Sequence, residues 1–295
     1  MTSPKLVAEI GTNHQGNFGT ATQMIRILSK ICNVDVVKFQ KRNPRELLSV
    51  EQYDAPHPTP IHSFGSIYGI HREFLEFSAA QHRELKEFCE EVGVLYSASV
   101  WDIASAREIV SLRPSFIKVA SASNLHFQIL GYLCAEFGGE IHVALGMTSR
   151  DEEEQIVTFF RRQGRLQDVV LYACTSGYPV SFEDLALLEI RRLRETYATE
   201  INGVGFSGHH LGIAADIAAM TLGACWIERH FTLDRTWKGT DHAASLEPDG
   251  MRRLARDLRN VSKALAYKRS EILDTEREQR NKLKWRKPAC GDPPA

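Results

Sequence analysis

Long apolar runs are missing from this chain of 295 residues. None approaches the roughly 20 consecutive apolar residues that a membrane span needs. The N-terminal stretch MTSPKLVAEIGTNH has no basic segment leading into an apolar one, so export is not expected. Net charge is almost absent as well: 36 Lys+Arg against 37 Asp+Glu leave −1, which offers no electrostatic footprint for DNA, RNA or an anionic membrane. The six cysteines (Cys32, Cys89, Cys134, Cys174, Cys225 and Cys290) lie far apart and form no C-x-x-C. They read as ordinary reduced thiols of a cytoplasmic protein. Internal repeats and low-complexity tracts are lacking too. What is present, 43% hydrophobic and 25% charged residues, is the composition of a globular protein, which excludes a disordered, collagen-like or coiled-coil chain.

Eight short β-branched runs alternate with amphipathic stretches. The strand candidates are 6–10, 34–40, 94–100, 116–121, 140–147, 168–176, 203–208 and 225–231. They are nearly continuous apolar runs, as expected for parallel strands buried on both faces. Helix patterns fall at 19–32, 79–92, 102–112, 126–137, 151–164, 182–197, 211–222 and 248–266, with Asp102, Asp151 and Ser181 as N-cap candidates. This β/α alternation predicts a single-domain α/β fold, a (β/α)8 TIM barrel over 1–267. An open doubly wound sheet is the alternative, weakened because no G-x-G-x-x-G follows the first strand. Segment 41–78, with four prolines, is too long for an ordinary βα connection and reads as a lid at the C-terminal end of the second strand. Residues 268–295 read as a charged C-terminal extension, helical and then a loose tail.

Catalytic groups of such barrels project from the C-terminal strand ends, and seven of these eight ends carry polar residues. They are Glu9 with the turn Gly11–His14; Lys38 and Gln40; Ser97 and Ser99; Lys118 and Ser121; Thr175, Ser176 and Tyr178; Ser207 and His209; and Glu228 and His230. Strand five alone ends blandly, at 144–147. Each residue has a structural explanation: a strand-end hydroxyl often bonds local backbone, the lysines could pair with Glu9 or Glu228, and His14 and His71 could be plain loop residues. Together, two lysines, several hydroxyls and few carboxylates on one rim suit an anionic substrate carrying phosphate or carboxylate. His209 and His230, on adjacent strands, could converge on a divalent metal such as Mn²⁺ or Zn²⁺ acting as Lewis acid. Hydrogen-bonded histidines would look the same, and His210 and His242 compete for the role. Asp241 is a loop carboxylate near the same rim, or a turn residue beside glycine.

The motifs resemble those of the N-acetylneuraminate (sialic acid) synthase family, the NeuB family. The resemblance is carried by Ala8–His14, Val37–Gln40, Tyr68–Phe74, Ile117–Ser121, Cys174–Pro179, Gly205–His209, Ile227–Asp234, Gly239–His242 and Ser245–Pro248, in order over roughly residues 5–265. It implies a carbon–carbon bond-forming transferase that condenses phosphoenolpyruvate with an open-chain sugar aldehyde, N-acetylmannosamine or a related hexose derivative. The products would be a 3-deoxy-2-ulosonic acid for surface glycans, and phosphate. It implies a divalent metal, typically Mn²⁺, on His209 and His230. Phosphoenolpyruvate contacts fall on Lys38, Gln40, Lys118, Ser121, Ser176 and Ser207, acidic groups on Glu9 and Asp241, and the family's tyrosine on Tyr178. Asn13 and Arg72 lie within matching motifs and join the substrate-binding candidates.

Several positions depart from the family pattern. Ser123 stands where a carboxylate is usual, Ala144 where a hydroxyl is usual, and Gly208 where an acid precedes the metal-ligand histidine. The antifreeze-like domain expected after the barrel has no counterpart, which leaves the lid and the basic residues Arg277, Arg280, Lys282, Lys284, Arg286 and Lys287 as substitutes for the sugar-contacting arginine that domain supplies. A solvated charged helix is the plainer reading of that tail. The resemblance also carries a homo-oligomer, dimer or tetramer. Two other readings use the same residues: a metal-independent Schiff-base aldolase through Lys118, and a non-catalytic barrel that binds sugar phosphates.

Overall fold

Residues 3–285 are described by the structure, a computed structural model. The eight apolar runs form strands β1 (Lys5–Gly11), β2 (Val36–Lys41), β3 (Leu95–Val100), β4 (Phe116–Val119), β5 (Glu140–Ala144), β6 (Val169–Cys174), β7 (Gly203–Gly208) and β8 (Trp226–His230). All pair in parallel, each with the next, and β8 closes on β1 to complete the barrel. Helices α1 (Phe18–Ile27), α2 (Pro44–Leu47), α3 (Val50–Asp54), α4 (Tyr68–Phe74), α5 (Ala79–Val92), α6 (Ile103–Ser111), α7 (Phe127–Glu136), α8 (Arg150–Arg162), α9 (Leu188–Tyr197), α10 (Ala214–Thr221), α11 (Pro248–Ala264) and α12 (Asp274–Leu283) complete the order. None of the described helices is long and apolar enough to cross a membrane.

The side-chain period of two along each strand splits its residues between two environments. Leu6, Ala8, Ile10, Val37, Phe39 and their equivalents pack outward under the helices. Val7, Val36, Phe116, Ala144, Val170, Tyr172 and Trp226 fill the axis. His142 belongs to this plug: its ring stacks on Phe116 with centroids 3.9 Å apart, and its Nδ1 lies 3.0 Å from the Tyr172 hydroxyl. Gly205 makes room for Tyr172, since a Cβ there would come within 2.5 Å of the tyrosine ring. The next inward positions toward the C-terminal end are polar, so the apolar plug becomes the floor of the site.

Several sequence expectations need correction at the element ends. Asp151 lies in the first turn of α8, but the N-cap is Ser149, which exchanges capping-box bonds with Glu152; an acid two residues past a serine suits the helix dipole rather than the cap. Ser181 caps nothing: its hydroxyl donates to Asp184 Oδ2, and α9 begins only at Leu188. Asp102 does cap α6, accepting from Ser105 N at 2.7 Å. The first helix passes into a π turn at Leu28–Cys32 and stops at Asn33, whose φ is +61°. The ladders of β4 and β5 end at Val119 and Ala144, earlier than the apolar runs suggest: β4 gives way to a 3₁₀ turn at Ser121–Ser123, and β5 to a turn at 146–147, where Met147 has φ +57°.

The segment after β2 folds as α2–α4 plus a short 3₁₀ turn, Pro60–His62. It touches the loop after β8, where Gly239 N donates to His62 Nδ1 and the Lys238 ammonium sits 4.7 Å from the Phe64 ring centre. Beyond the barrel, α12 is exposed and pairs Arg277 with Asp274 and Lys282 with Glu278 within itself. Arg286 and Lys287 lie outside the described residues.

Candidate active site

Strand register assembles the floor. Glu9 stands beside Lys38 across β1–β2, Ser99 beside Lys118 across β3–β4, Ser207 beside Glu228 across β7–β8, and His230 beside Glu9 across the closure. These inward positions surround a cavity of about 290 Å³ at the C-terminal barrel mouth, also lined by Gln40, Trp101, Ser121, Met147, Cys174, Ser176, Tyr178 and His209.

The two lysines are not free cations. Glu228 accepts from Lys118 Nζ at 2.7 Å and from the Ser207 hydroxyl at 3.1 Å, and its other oxygen is 3.7 Å from Lys38 Nζ. Lys38 lies 2.5 Å from Glu9 and donates to Ser99 Oγ, while Gln40 donates to Glu9 from the other side. Charges this buried persist only when paired. Burial by itself would raise the Glu228 carboxyl, but Lys118 and Lys38 hold it well below the usual range. Glu9 moves the opposite way: burial raises it and Glu228 adds to the rise, with Lys38 only partly opposing. Lys118 is drawn down by burial and by Lys38 against the pull of Glu228, whereas Glu228 and Glu9 overcome burial and raise Lys38. The four groups form one buried ion-paired network. Glu228, read from the sequence only as a strand end and ion-pair partner, is its hub; its position two residues before His230 was the available signal.

His209 and His230 approach each other at the rim, with ring centroids 5.5 Å apart and the Tyr178 ring 4.4 Å from His209. His209 Nδ1 donates to the Thr175 carbonyl at 2.9 Å, which fixes the tautomer and leaves Nε2 with a free lone pair. Burial pushes this imidazole down to about 3, so it is neutral at pH 7. His230 Nδ1 is buried without a hydrogen-bond partner and lies 4.0 Å from Asp241 Oδ2. Burial would raise Asp241, but His230, the Thr240 hydroxyl and Arg42 bring it below its ordinary value. Among the described residues no three His, Cys, Asp or Glu form a ready cage. The neutral His209 imidazole, the His230 ring with its orphaned Nδ1 and a nearby carboxylate nevertheless fit an N/O-ligated divalent cation whose other positions go to water or substrate.

The competing histidines are removed by their surroundings. His210 Nε2 meets Arg229 at 3.1 Å inside a buried cluster with Asp216, and His242 Nδ1 meets the Thr232 hydroxyl at 2.8 Å. His14 stacks on Phe77 and takes the Gly16 N–H, and His71 accepts from Phe64 N in the lid. Ser121 Oγ accepts from Gly146 N at 3.1 Å and donates to Cys174 Sγ at 3.9 Å, and both side chains line the cavity. Two substrate-binding expectations fall outside the cavity lining. Asn13 spends its amide on the Phe231 carbonyl and Ser245 Oγ, both at 2.9 Å, and so ties the β1 turn to the loop after β8. Arg72 sits on α4, its Nε donating to the Tyr68 hydroxyl at 3.0 Å. Ser123 donates to the Trp101 carbonyl at 3.0 Å, so it braces the turn. Trp101, Met147 and Cys174 were missed, since an apolar or thiol residue at or just past a strand end carries no pattern of its own.

Comparison with known proteins adds an independent line. The sequence profile of the NeuB family matches residues 24–270. Human (Homo sapiens) N-acetylneuraminate-9-phosphate synthase is 37% identical over 278 residues, covering 94% of this chain and 76% of that protein. The N,N'-diacetyllegionaminic acid synthase of Campylobacter jejuni is 29% identical over 263 residues, covering 88% and 77%. The crystal structure of N-acetylneuraminic acid synthetase from Leptospira borgpetersenii in complex with citrate matches with a TM-score of 0.78 at 26% identity, covering 97% of this chain and 94% of that one.

Proposed function

Because the chain belongs to the NeuB family of sialic-acid-type synthases, we propose that it condenses phosphoenolpyruvate with the aldehyde of an open-chain N-acylated hexosamine. The products are a nine-carbon 3-deoxy-2-ulosonic acid and phosphate, serving surface glycans. The relatives that are 37% and 36% identical are named for a 9-phosphate product, which favours N-acetylmannosamine 6-phosphate over the plain sugar: three carbons from phosphoenolpyruvate precede the sugar, so carbon 9 is carbon 6 of the acceptor. One observation carries the reading. The paired lysines and glutamates and the two-histidine rim open into the same small cavity.

In this reading Lys38, Lys118, Gln40, Ser121, Ser176 and Ser207 hold the phosphate and carboxylate of phosphoenolpyruvate, the anions loosening each lysine from its glutamate. Fixing the substrate this way replaces water by preorganised charge. His209 and His230, with Asp241 beside them, would hold a divalent metal, Mn²⁺ by the family resemblance, and when bound it supplies Lewis acidity to the aldehyde oxygen. The π electrons of phosphoenolpyruvate form the bond from its C3 to the aldehyde carbon, and the aldehyde oxygen takes a proton. Water adds at C2, one of its protons replacing, through Glu9, the proton taken by the aldehyde oxygen; phosphate then leaves with the electrons of its C2–O bond and carries off the C2 hydroxyl proton, which leaves the ketone. Glu9, with its raised pKa, takes the proton of that water; Tyr178 packs over the reacting end, and Asp241 stays ionised beside His230.

The test is phosphate release from phosphoenolpyruvate with Mn²⁺ and a sugar panel, with and without EDTA. Release that needs both metal and one acceptor is expected. Undiminished turnover in EDTA would remove the metal assignment, and near-normal turnover of Glu9→Gln would remove Glu9 as base. The aldolase reading is weaker, since the Lys118 amine is engaged by Glu228 and faces the Tyr172 ring at 4.2 Å. A non-catalytic binder would need neither the histidine pair nor Glu9. Sizing in solution reads the dimer or tetramer directly.

A further inference from the structure

The lid and the loop after β8 gather cations that the condensation does not use. Arg42 follows β2 directly and is only 3% exposed; its guanidinium lies 5.4 Å from the ring centre of Trp101, which lines the cavity. Its backbone N–H and Nε both donate to Glu76, but Nη2 is buried with no partner. A buried guanidinium nitrogen left unpaired is costly and calls for an acceptor. Arg72 lies against the Tyr68 ring, and Lys238 against the Phe64 ring. Among the described residues no carboxylate comes within ion-pair distance of either, because Glu73 is taken by Arg45 and Glu76 by Arg42. His71 is within electrostatic reach of all three cations and cannot balance them, being held neutral at pH 7 by burial and by their charge. Asp241, whose charge acts on Arg72 and feels Arg42, stands 4.0 Å from His230. Asp241 and this cluster therefore stand beside the histidine pair, just outside the residues that line the cavity itself.

We propose that Arg42, Arg72 and Lys238 form an anion subsite that receives the phosphate ester at the far end of the acceptor sugar. The proposal rests on the synthase reading. With the aldehyde carbon at the histidine pair, carbon 6 of an open-chain hexosamine is the end farthest from the chemistry, and the lid is where that end emerges. Arginine forks match phosphate oxygens in pairs, and Lys238 adds a point charge. The orphaned Nη2 of Arg42 would gain its missing acceptor from the ligand.

The test compares N-acetylmannosamine 6-phosphate with N-acetylmannosamine in the wild type and in Arg72→Met, Lys238→Met and Arg42→Lys, the last keeping the charge without the fork. The wild type should favour the phosphorylated sugar by at least about 100-fold in kcat/KM. Each variant should cut that preference about tenfold or more, through KM rather than kcat. Equal use of both sugars by the wild type would overturn the subsite while leaving the synthase reading intact. So would variants that lose activity by the same factor with both sugars, which marks a merely structural role for the lid. If neither sugar turns over, the synthase reading fails, and calorimetric titration with the sugar phosphate still decides the subsite. Binding that weakens tenfold or more in Arg72→Met supports it, and equal or absent binding overturns it.

Discussion

Glu228 is the one carboxylate among the described residues that reaches both floor lysines, at 2.7 Å from Lys118 and 3.7 Å from Lys38. Replacing it by glutamine leaves two buried ammonium groups with Glu9 alone, so Glu228→Gln should destabilise the fold by about 3–5 kcal/mol. Adding Lys118→Met should recover part of the loss, because the second change removes the uncompensated charge. Denaturant unfolding of the single and double variants measures both effects. A single variant as stable as the wild type would mean that the lysines do not depend on Glu228. The residue types at this site were legible in the sequence, since buried strands have little other use for lysine and glutamate at their ends. Their partners were not legible: pairing follows from which strands are neighbours and in what register.

At the scale of elements, the chain's local rules are obeyed where they concern neighbours in sequence. Ser149 caps α8 through Glu152 N, and Glu152 answers through Ser149 N. Ser149→Ala should therefore cost about 1 kcal/mol, while Asp151→Ala, which loses only a favourable charge in the first turn, should cost about 0.3–1 kcal/mol. Thermal melts of the two variants check the order; a larger loss for Asp151→Ala would restore the cap read from the sequence. The misplaced starts of α8 and α9 share one cause. Serine and aspartate both favour caps and loops, and only the backbone path decides which of several candidates meets a free N–H. The lid shows the same limit. Its length and prolines marked it as an insertion, but its docking on the loop after β8 through His62 and Lys238 depends on residues nearly 180 positions away in the chain.

For the whole molecule, burial of neutral histidines predicts how stability depends on pH. His14 and His82 are pushed down to about 3 and His142 to about 4, in each case chiefly by burial. The unfolded chain takes up these protons near pH 6.5, whereas the folded protein refuses them until far lower. Stability from this source is complete above pH 6.5 and is lost as pH falls toward 3–4, at about 1.4 kcal/mol per pH unit for each histidine. Denaturant midpoints at pH 7.5, 5.5 and 4.5 should decline steadily. A midpoint unchanged over that range would show that these rings are charged or accessible in the folded state.

The barrel itself was determined by the sequence, because runs buried on both faces, alternating with one-sided helices, have few other ways to hide their apolar surface. The polar strand ends were determined there too, one residue type at a time. Tertiary structure alone decided that Glu228 joins the two lysines, that His209 and His230 rather than His210 or His242 face each other, and that Asn13 braces a loop instead of lining the cavity. These outcomes depend on barrel closure, which sets strand against strand and turns each side chain either to the axis or to the helices. No window of sequence contains that geometry.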